Sequence, residues 1–423
     1  MLFHSTRGES PSVPADKALR AGAAPDGGLY LPDGLPQIRS GRAVGSVAEV
    51  ARELLPSFFT GSALEGQIEQ ICDDAFNFPV PIVQPGESGP HILELFHGPT
   101  GAFKDFGARF LFRSFDRIAD ASDPITVLAA TSGDTGGAVG CAAQGNAHAG
   151  AVILFPKGRI SPFQEHQLCC WDKPVRALRV DADFDACQAL VKRAFLDQDL
   201  SRTFGLTSAN SISIGRLLPQ MSYWAMAARQ MLADTGEKPG LVIPTGNLGN
   251  AFAAILARAL GEPIGPIVLA TNANRTLYDW FTDGQYKARA SVATLANAMD
   301  VGAPSNFERL AAFEPDAPVE VVRVTDDEIE MAIREEHTLH GYVACPHTAT
   351  ALVAHTRISD RVRAERPWLV GATAHPYKFR ETVEPLIGQK ISPPQTLANV
   401  LEQPTTVRDI PAELSALQAA LAS

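Results

Sequence analysis

Lys104 lies in Phe96-His-Gly-Pro-Thr-Gly-Ala-Phe-Lys-Asp-Phe106, flanked by Phe103 and Phe106 just past a Gly/Pro turn. Aromatic neighbours that exclude water disfavour an ammonium and leave more of the free amine, the form a Schiff-base nucleophile requires. A half-buried lysine that extends its amine to water is the other reading of the same residues. Gly246-Asn-Leu-Gly-Asn250 has the composition of an anion cradle, because glycines let successive N–H groups converge at the positive end of a following helix. Its spacing is neither Walker A nor G-x-G-x-x-G, and a plain strand-to-helix turn explains the composition too. Thr131-Ser-Gly-Asp-Thr135 offers hydroxyls and amides to a carboxylate, with Asp134 as a hydrogen-bond partner rather than a base. Helix capping by Ser132 or Asp134 uses the same geometry. Asn210-Ser-Ile-Ser-Ile-Gly-Arg216 sets an arginine behind a polar turn, a donor set suited to a phosphate dianion or, more plainly, a capped helix with an exposed Arg.

Other chemistries find no support. His97, His347 and His375 border prolines and glycines without metal-ligand spacing, and read as loop anchors. There is no G-x-S-x-G elbow, which argues against an α/β-hydrolase. The six cysteines contain no C-x-x-C pair, and the adjacent Cys169 and Cys170 are poorly placed to bridge. No metal site and no disulfide framework are expected.

The elements that must position these residues follow a repeated order. The apolar run Ile125 to Ala130 leads into Thr131 to Gly137, a helical pattern follows from Ala138 to Gln144, and Ala151 to Phe155 reads as a second buried strand. Leu241 to Ile243 leads into the 244–250 turn and a helix from Ala251 to Leu260. Ile267 to Ala270 and Leu369 to Ala372 are further strands, ending in the turns 271–275 and 373–377. Strand, turn, helix in repetition predicts parallel sheets flanked by helices, with ligands outside the carboxyl ends of the strands. All four turns belong at those ends. The first ninety or so residues form a separate unit, with a helix predicted around Val47, Val50, Ala51, Leu54 and Leu55. We expect three domains: 1–92, 93–225 and 226–423.

A chain of 423 residues, 45% hydrophobic and 20% charged, has ample material for such cores. A net charge of −11 without Lys/Arg blocks argues against nucleic acid as a partner, though local amides can still bind a small anion. No secretory signal and no membrane-length apolar run are visible, so a cytoplasmic protein is expected.

Taken together, these segments resemble the threonine synthase family. These are pyridoxal-phosphate enzymes of the tryptophan-synthase-β-like fold type II group, and the likeness is to the longer bacterial and fungal branch. The resemblance runs nearly the whole chain, from Asp26-Gly-Gly-Leu-Tyr-Leu-Pro32 through the motifs above to Asn297-Ala-Met-Asp300, Pro346-His-Thr-Ala349 and Thr373-Ala-His-Pro376. It implies an α/β fold of two open, parallel-type sheets plus an N-terminal domain, with the cofactor lysine near the start of the second unit. By position, Lys104 carries pyridoxal 5'-phosphate beside Phe103, while Gly246, Asn247, Leu248, Gly249 and Asn250 cradle its phosphate. Asp134 falls beside the pyridine 3' oxygen and Thr373 faces the pyridine nitrogen. Thr131, Ser132 and Thr135 hold the substrate carboxylate; Asn210, Ser211 and Arg216 hold its phosphate. The chain departs from the family pattern at Gly101, Leu248, Asn250 and Tyr377, where leucine, phenylalanine, aspartate and a small residue are common.

The implied reaction turns O-phospho-L-homoserine and water into L-threonine and phosphate by γ-elimination and β-addition, in a monomer or homodimer. A phospholyase of the same family would instead release a keto acid, ammonia and phosphate. A cofactor-free binding protein for phosphorylated amino acids would keep the glycine loop and have no use for Lys104. Product analysis and the colour of the purified protein separate the three.

Overall fold

The computed structural model describes residues 1–38, 44–87, 89–131, 133–313 and 319–423. Two sheets carry it. A six-stranded sheet runs Val319–Arg323, Ile267–Thr271, Gly240–Pro244, Trp368–Ala372, His91–Glu94 and Ile82–Val83, parallel throughout except for the last, antiparallel strand. A five-stranded, fully parallel sheet runs Arg408–Ile410, Val175–Val180, Ala149–Pro156, Ile125–Ala130 and Leu206–Thr207. The central strands are apolar runs buried on both faces, as parallel sheets covered by helices require; every residue of Gly240–Pro244, Ile267–Thr271 and Trp368–Ala372 is buried.

Neither sheet is a contiguous stretch of chain. His91–Glu94, across the 92/93 line expected from sequence, pairs with Trp368–Ala372, and the Arg408–Ile410 strand joins the sheet of residues 125–207. Such strands are placed by their pairing partners, and pairing is invisible to local composition.

The helix Lys104–Ile118 packs against the helix Asp134–Ala143 and the strand Ala149–Pro156 of the five-stranded sheet. Its Phe106, Phe110, Phe112 and Phe115 are fully buried, each contributing about 1.5–3 kcal/mol by leaving water. The N-terminal unit covers one side of it. A small antiparallel sheet of Val13–Pro14, Leu2–Ser5 and Tyr30–Pro32 leads to the helix Val47–Leu54, closed by a Ser46/Glu49 capping box. Phe59 and Phe76 of this unit pack on Phe110 at 5.8 and 6.3 Å between ring centroids. Arg109 donates to the carbonyls of Asp74 and Ala75 at 2.8 and 2.7 Å, satisfying the end of the helix Ile68–Ala75. The catalytic-type lysine therefore sits on a helix gripped along its length.

Candidate active site

Backbone hydrogen bonds lace the loop before Lys104 to the segment after Ala372. Ala102 pairs with Ala374 in an isolated antiparallel bridge, Phe103 N–H donates to Thr373 O at 2.9 Å, and His375 N–H donates to Gly101 O at 2.9 Å. This lacing fixes Lys104 and Thr373 against each other although 269 positions separate them in sequence. Asp105, fully buried, closes the loop from inside, accepting from the Thr100 hydroxyl at 2.7 Å and the Thr100 N–H at 2.9 Å.

Lys104 is half-buried and has no hydrogen bond or ion pair among the described residues. Burial pushes its pKa below that of an ordinary lysine. Asp134 pulls the other way, and the charges of Arg216 and Lys378 add to the lowering. A lowered pKa is the direction that a Schiff-base amine requires.

Asp134 opens the helix Asp134–Ala143, which starts four residues before the pattern at Ala138 suggested. Burial would raise its pKa, yet Lys378 and then Lys104 outweigh burial and hold the carboxyl below its usual range. Asp134 does not cap the helix, which it opens as the first residue. Thr131 takes that part, its hydroxyl accepting from the N–H groups of Gly133 and Gly136 at 3.2 Å each. Ser132 lies outside the described residues. The Thr135 hydroxyl has no partner among the described residues and remains available to a ligand.

The glycine loop closes the opposite side. Gly246 lies so near the turn Asn297–Met299 that a Cβ there would stand 2.7 Å from the Met299 Cα and 2.9 Å from its carbonyl oxygen. Leu248 has φ +63, the left-handed region that non-glycine residues avoid and that tends to survive where a site demands it. It stands at the start of the helix Gly249–Ala259, whose first N–H groups have no partner within the helix. Asn250 turns its side chain away, accepting from the Tyr223 hydroxyl at 2.6 Å and the Trp224 indole at 2.8 Å. Its backbone amide stays in the cradle.

Ser211 meets this loop directly, its hydroxyl bonded to the Asn247 side-chain amide, and Asn306 bridges the carbonyls of Ser211 and Asn247 at 3.1 and 2.9 Å. The Asn210 side chain has no partner among the described residues. Arg216, on the short helix Ile214–Leu217, is not an exposed cap residue. It is 4% exposed, donates to Ala209 O, and its Nε has no partner among the described residues. Burial lowers its pKa to about 10, so it stays cationic at neutral pH with no carboxylate bonded to it. Gly107 makes room for it, since a Cβ there would lie 2.8 Å from that Nε. A buried cation with an idle donor, one helical turn from Lys104, is suited to an anion.

Two residues, Lys378 and Arg309, escaped the sequence reading, and a third, His347, was given a different part. Lys378, in the turn Pro376–Phe379, reaches Asp134 at 3.0 Å; the only signal was a second lysine five places after Thr373. Arg309 is fully buried with no carboxylate bonded to it, donating to the carbonyls of Tyr30 and Ile212 and to Asn306, and burial lowers its pKa to about 9. His347, read as a loop anchor, accepts from Ala298 N–H at 3.1 Å through Nε2 and faces Asp134 and Lys104. Burial keeps it neutral, with a pKa of about 4. The Thr373 hydroxyl is buried without a hydrogen bond among the described residues. Within those residues no group of His, Cys, Asp or Glu could hold a metal, and no helix is long and apolar enough to cross a membrane.

Comparison with known proteins gives the family. Residues 92–373 match the family described as pyridoxal-phosphate dependent enzyme; residues 2–76 match threonine synthase N terminus, and 348–421 match threonine synthase, C-terminal. The threonine synthase of Escherichia coli is 37% identical across 99% of this chain and 98% of its own. The chain belongs to the threonine synthase family. Its fold is that of the crystal structure of the E. coli enzyme, with a TM-score of 0.88, 36% identity, and 100% and 99% of the two chains covered. A PLP-bound threonine synthase from Brucella melitensis superposes with a TM-score of 0.91 at 33% identity, covering 100% and 98%. Such relatives favour the synthase over the phospholyase alternative, and family membership makes this a pyridoxal-phosphate-dependent lyase.

Proposed function

We propose that this protein converts O-phospho-L-homoserine and water into L-threonine and phosphate at the site between its two sheets. The observation that carries the reading is the amine of Lys104, which has no hydrogen bond or ion pair among the described residues and whose pKa burial lowers, with the charge of the buried, carboxylate-free Arg216 adding to the lowering. The residues fit pyridoxal phosphate. The cradle has the close approach that only glycine permits at position 246, plus free helix N–H groups for a phosphate. Thr373 presents a buried hydroxyl with no other partner among the described residues, suited to an uncharged ring nitrogen, and Asp134 stands where the ring oxygen is expected.

When bound, the cofactor supplies the electron sink for carbanion chemistry. The chain's own residues do the rest. Lys104 holds the cofactor, and its amine, once released by the incoming substrate amine, moves protons at Cα and Cβ. The backbone and the Thr135 hydroxyl at the head of the Asp134 helix, with Thr131 and Ser132, orient the substrate carboxylate. Asn210, Ser211 and Arg216 receive the substrate phosphate; Arg216, already desolvated, stabilises the charge that collects as the Cγ–O bond breaks. Cγ takes up a proton to become the methyl group, and water then adds at Cβ to give the threonine hydroxyl.

Six unbridged cysteines, five of them buried, suit a reducing cytoplasm, where we place the protein. The large exposed apolar side chains, among them Leu196 and Leu339, are scattered along the sequence, which suits a monomer or homodimer. Incubation with O-phospho-L-homoserine, following threonine and phosphate together, tests the function. Equal release of both is expected. Phosphate with a keto acid and no threonine would overturn it.

A further inference from the structure

Lys378 has one ammonium and three acceptors. Its Nζ donates to Gln167 Oε1 at 2.6 Å and to Thr100 O at 2.7 Å, and pairs with Asp134 Oδ1 at 3.0 Å. The side chain is 1% exposed, and the Phe163 ring lies 5.6 Å from Nζ on another side. Two of its three N–H groups are donated to Gln167 and Thr100, and its charge is paired with Asp134, whose Oδ1 has no hydrogen bond among the described residues. Held this way and closed off from solvent, Lys378 acts on the site through Asp134 and Thr100.

Both connections lead to Lys104. Thr100 belongs to the loop that delivers Lys104, and Gln167 Nε2 donates to the same Thr100 carbonyl at 3.1 Å, closing a triangle of three residues. Asp134 and Gln167 belong to the segment of the five-stranded sheet, whereas Lys378 follows the strand Trp368–Ala372 of the six-stranded one. The charged groups facing Asp134 are Lys378 and Lys104, with neutral His347 beside them; Lys104 faces Asp134, Arg216, Lys378 and His347. Asp105 and His375 are the other titratable groups near Lys378. Of the two lysines, only Lys378 is ion-paired with the carboxylate. A buried carboxylate deprived of that partner would take the nearest other cation, and an ion pair with Lys104 would hold that amine protonated.

We propose that Lys378 is a positioning residue that occupies the Asp134 carboxylate and thereby leaves Lys104 free as a nucleophile. This rests on Lys104 being the cofactor lysine. The second lysine works by engaging the one carboxylate able to trap the first.

The test is the rate at which apo-protein captures pyridoxal phosphate, followed by the long-wavelength absorbance of the lysine adduct across pH, with the melting temperature of each apo-protein alongside. The cofactor's own titration is common to every variant and cancels in the comparison. Lys378→Met is expected to slow capture at neutral pH by about tenfold or more and to move the midpoint of the rate profile up by about one pH unit. Asp134→Asn moves the midpoint down, because Lys378 and Arg216 then act on Lys104 unopposed. The double variant returns capture to within about threefold of the wild type, and Lys378→Arg retains the wild-type midpoint. A merely structural Lys378 predicts a lower melting temperature, slower capture by the same factor at every pH, and no rescue by Asp134→Asn; that pattern overturns the proposal. Should Lys378→Met fail to fold, the opposite-signed shift in Asp134→Asn and the unmoved midpoint in Lys378→Arg decide it. Wild-type protein that captures no cofactor at any pH removes the assignment of Lys104 itself, a result distinct from all of these.

Discussion

Replacing Gly246 by alanine asks whether the glycine loop is built for close approach or is only a turn. The added Cβ would sit 2.7, 2.9 and 3.1 Å from the Met299 Cα, O and C, all backbone atoms that no side-chain rotation can withdraw. Ordinary contact begins at 3.4 Å, so the two segments must part by about 0.7 Å, the difference between that distance and the 2.7 Å approach. Neither side yields easily. Met299 N–H is bonded to Ala296 O at 2.9 Å and Ala298 N–H to His347 at 3.1 Å, while Thr245 N–H is bonded to Ala270 O at 2.9 Å. Overpacking of this kind costs about 1–3 kcal/mol, or roughly a fivefold to hundredfold loss of cofactor affinity if the phosphate needs the undisturbed loop. Equilibrium titration of apo-protein with pyridoxal phosphate, read by quenching of intrinsic fluorescence, measures the loss; the apo melting temperature should fall with it. Gly249→Ala is the control, since its Cβ meets nothing nearer than 3.6 Å and apo stability should hold. Wild-type affinity and wild-type melting in Gly246→Ala would refute the cradle.

Lys104→Ala should abolish cofactor capture and turnover while leaving apo stability intact, because the amine has no hydrogen bond or ion pair among the described residues to lose; normal turnover would end the mechanism. Arg229 is bound by Glu262 and Glu53 at 2.7 Å each, with its own side chain and that of Glu262 2% exposed. Arg229→Met leaves a buried carboxylate uncompensated and should cost about 3–5 kcal/mol, visible as a lower urea midpoint. Burial lowers the pKa of His347 and His355 from 6.5 to about 4, so the unfolded chain takes up protons that the folded one refuses between those values. Apo stability should therefore hold above pH 6.5 and fall as pH drops toward 4, by about 2 kcal/mol per fully buried ring at pH 5. Equal urea midpoints at pH 7 and pH 5 would contradict this.

Much of the site was legible because its parts are local. Gly246 to Asn250 and Thr131 to Thr135 are each a strand end, a turn and a helix start within a few residues, and composition suffices to mark them. The strands Ile125–Ala130 and Ile267–Thr271 lie within one residue of the apolar runs that announced them. Helix starts were less legible. The Asp134 helix begins among glycines, which carry no periodicity, and its cap is the hydroxyl of Thr131, reached from outside the helix. The orientation of Asn250 and the burial of Arg216 were also beyond the sequence, since each depends on neighbours tens of residues away, Tyr223 and Trp224 for the first, Gly107 for the second.

The sequence by itself determined which chemistry is carried: a lysine between aromatics, a glycine cradle, a turn of hydroxyls and an arginine behind a polar turn. Those are properties of residue type and short spacing. Only the tertiary structure decided that Lys104 is unpaired. The carboxylate nearest in charge to it, Asp134, is instead ion-paired with Lys378, which follows the strand Trp368–Ala372 of the other sheet. A pKa is set by charges and solvent within a few ångströms, and in this fold those charges come from residues 104, 134, 216 and 378, which only folding brings together.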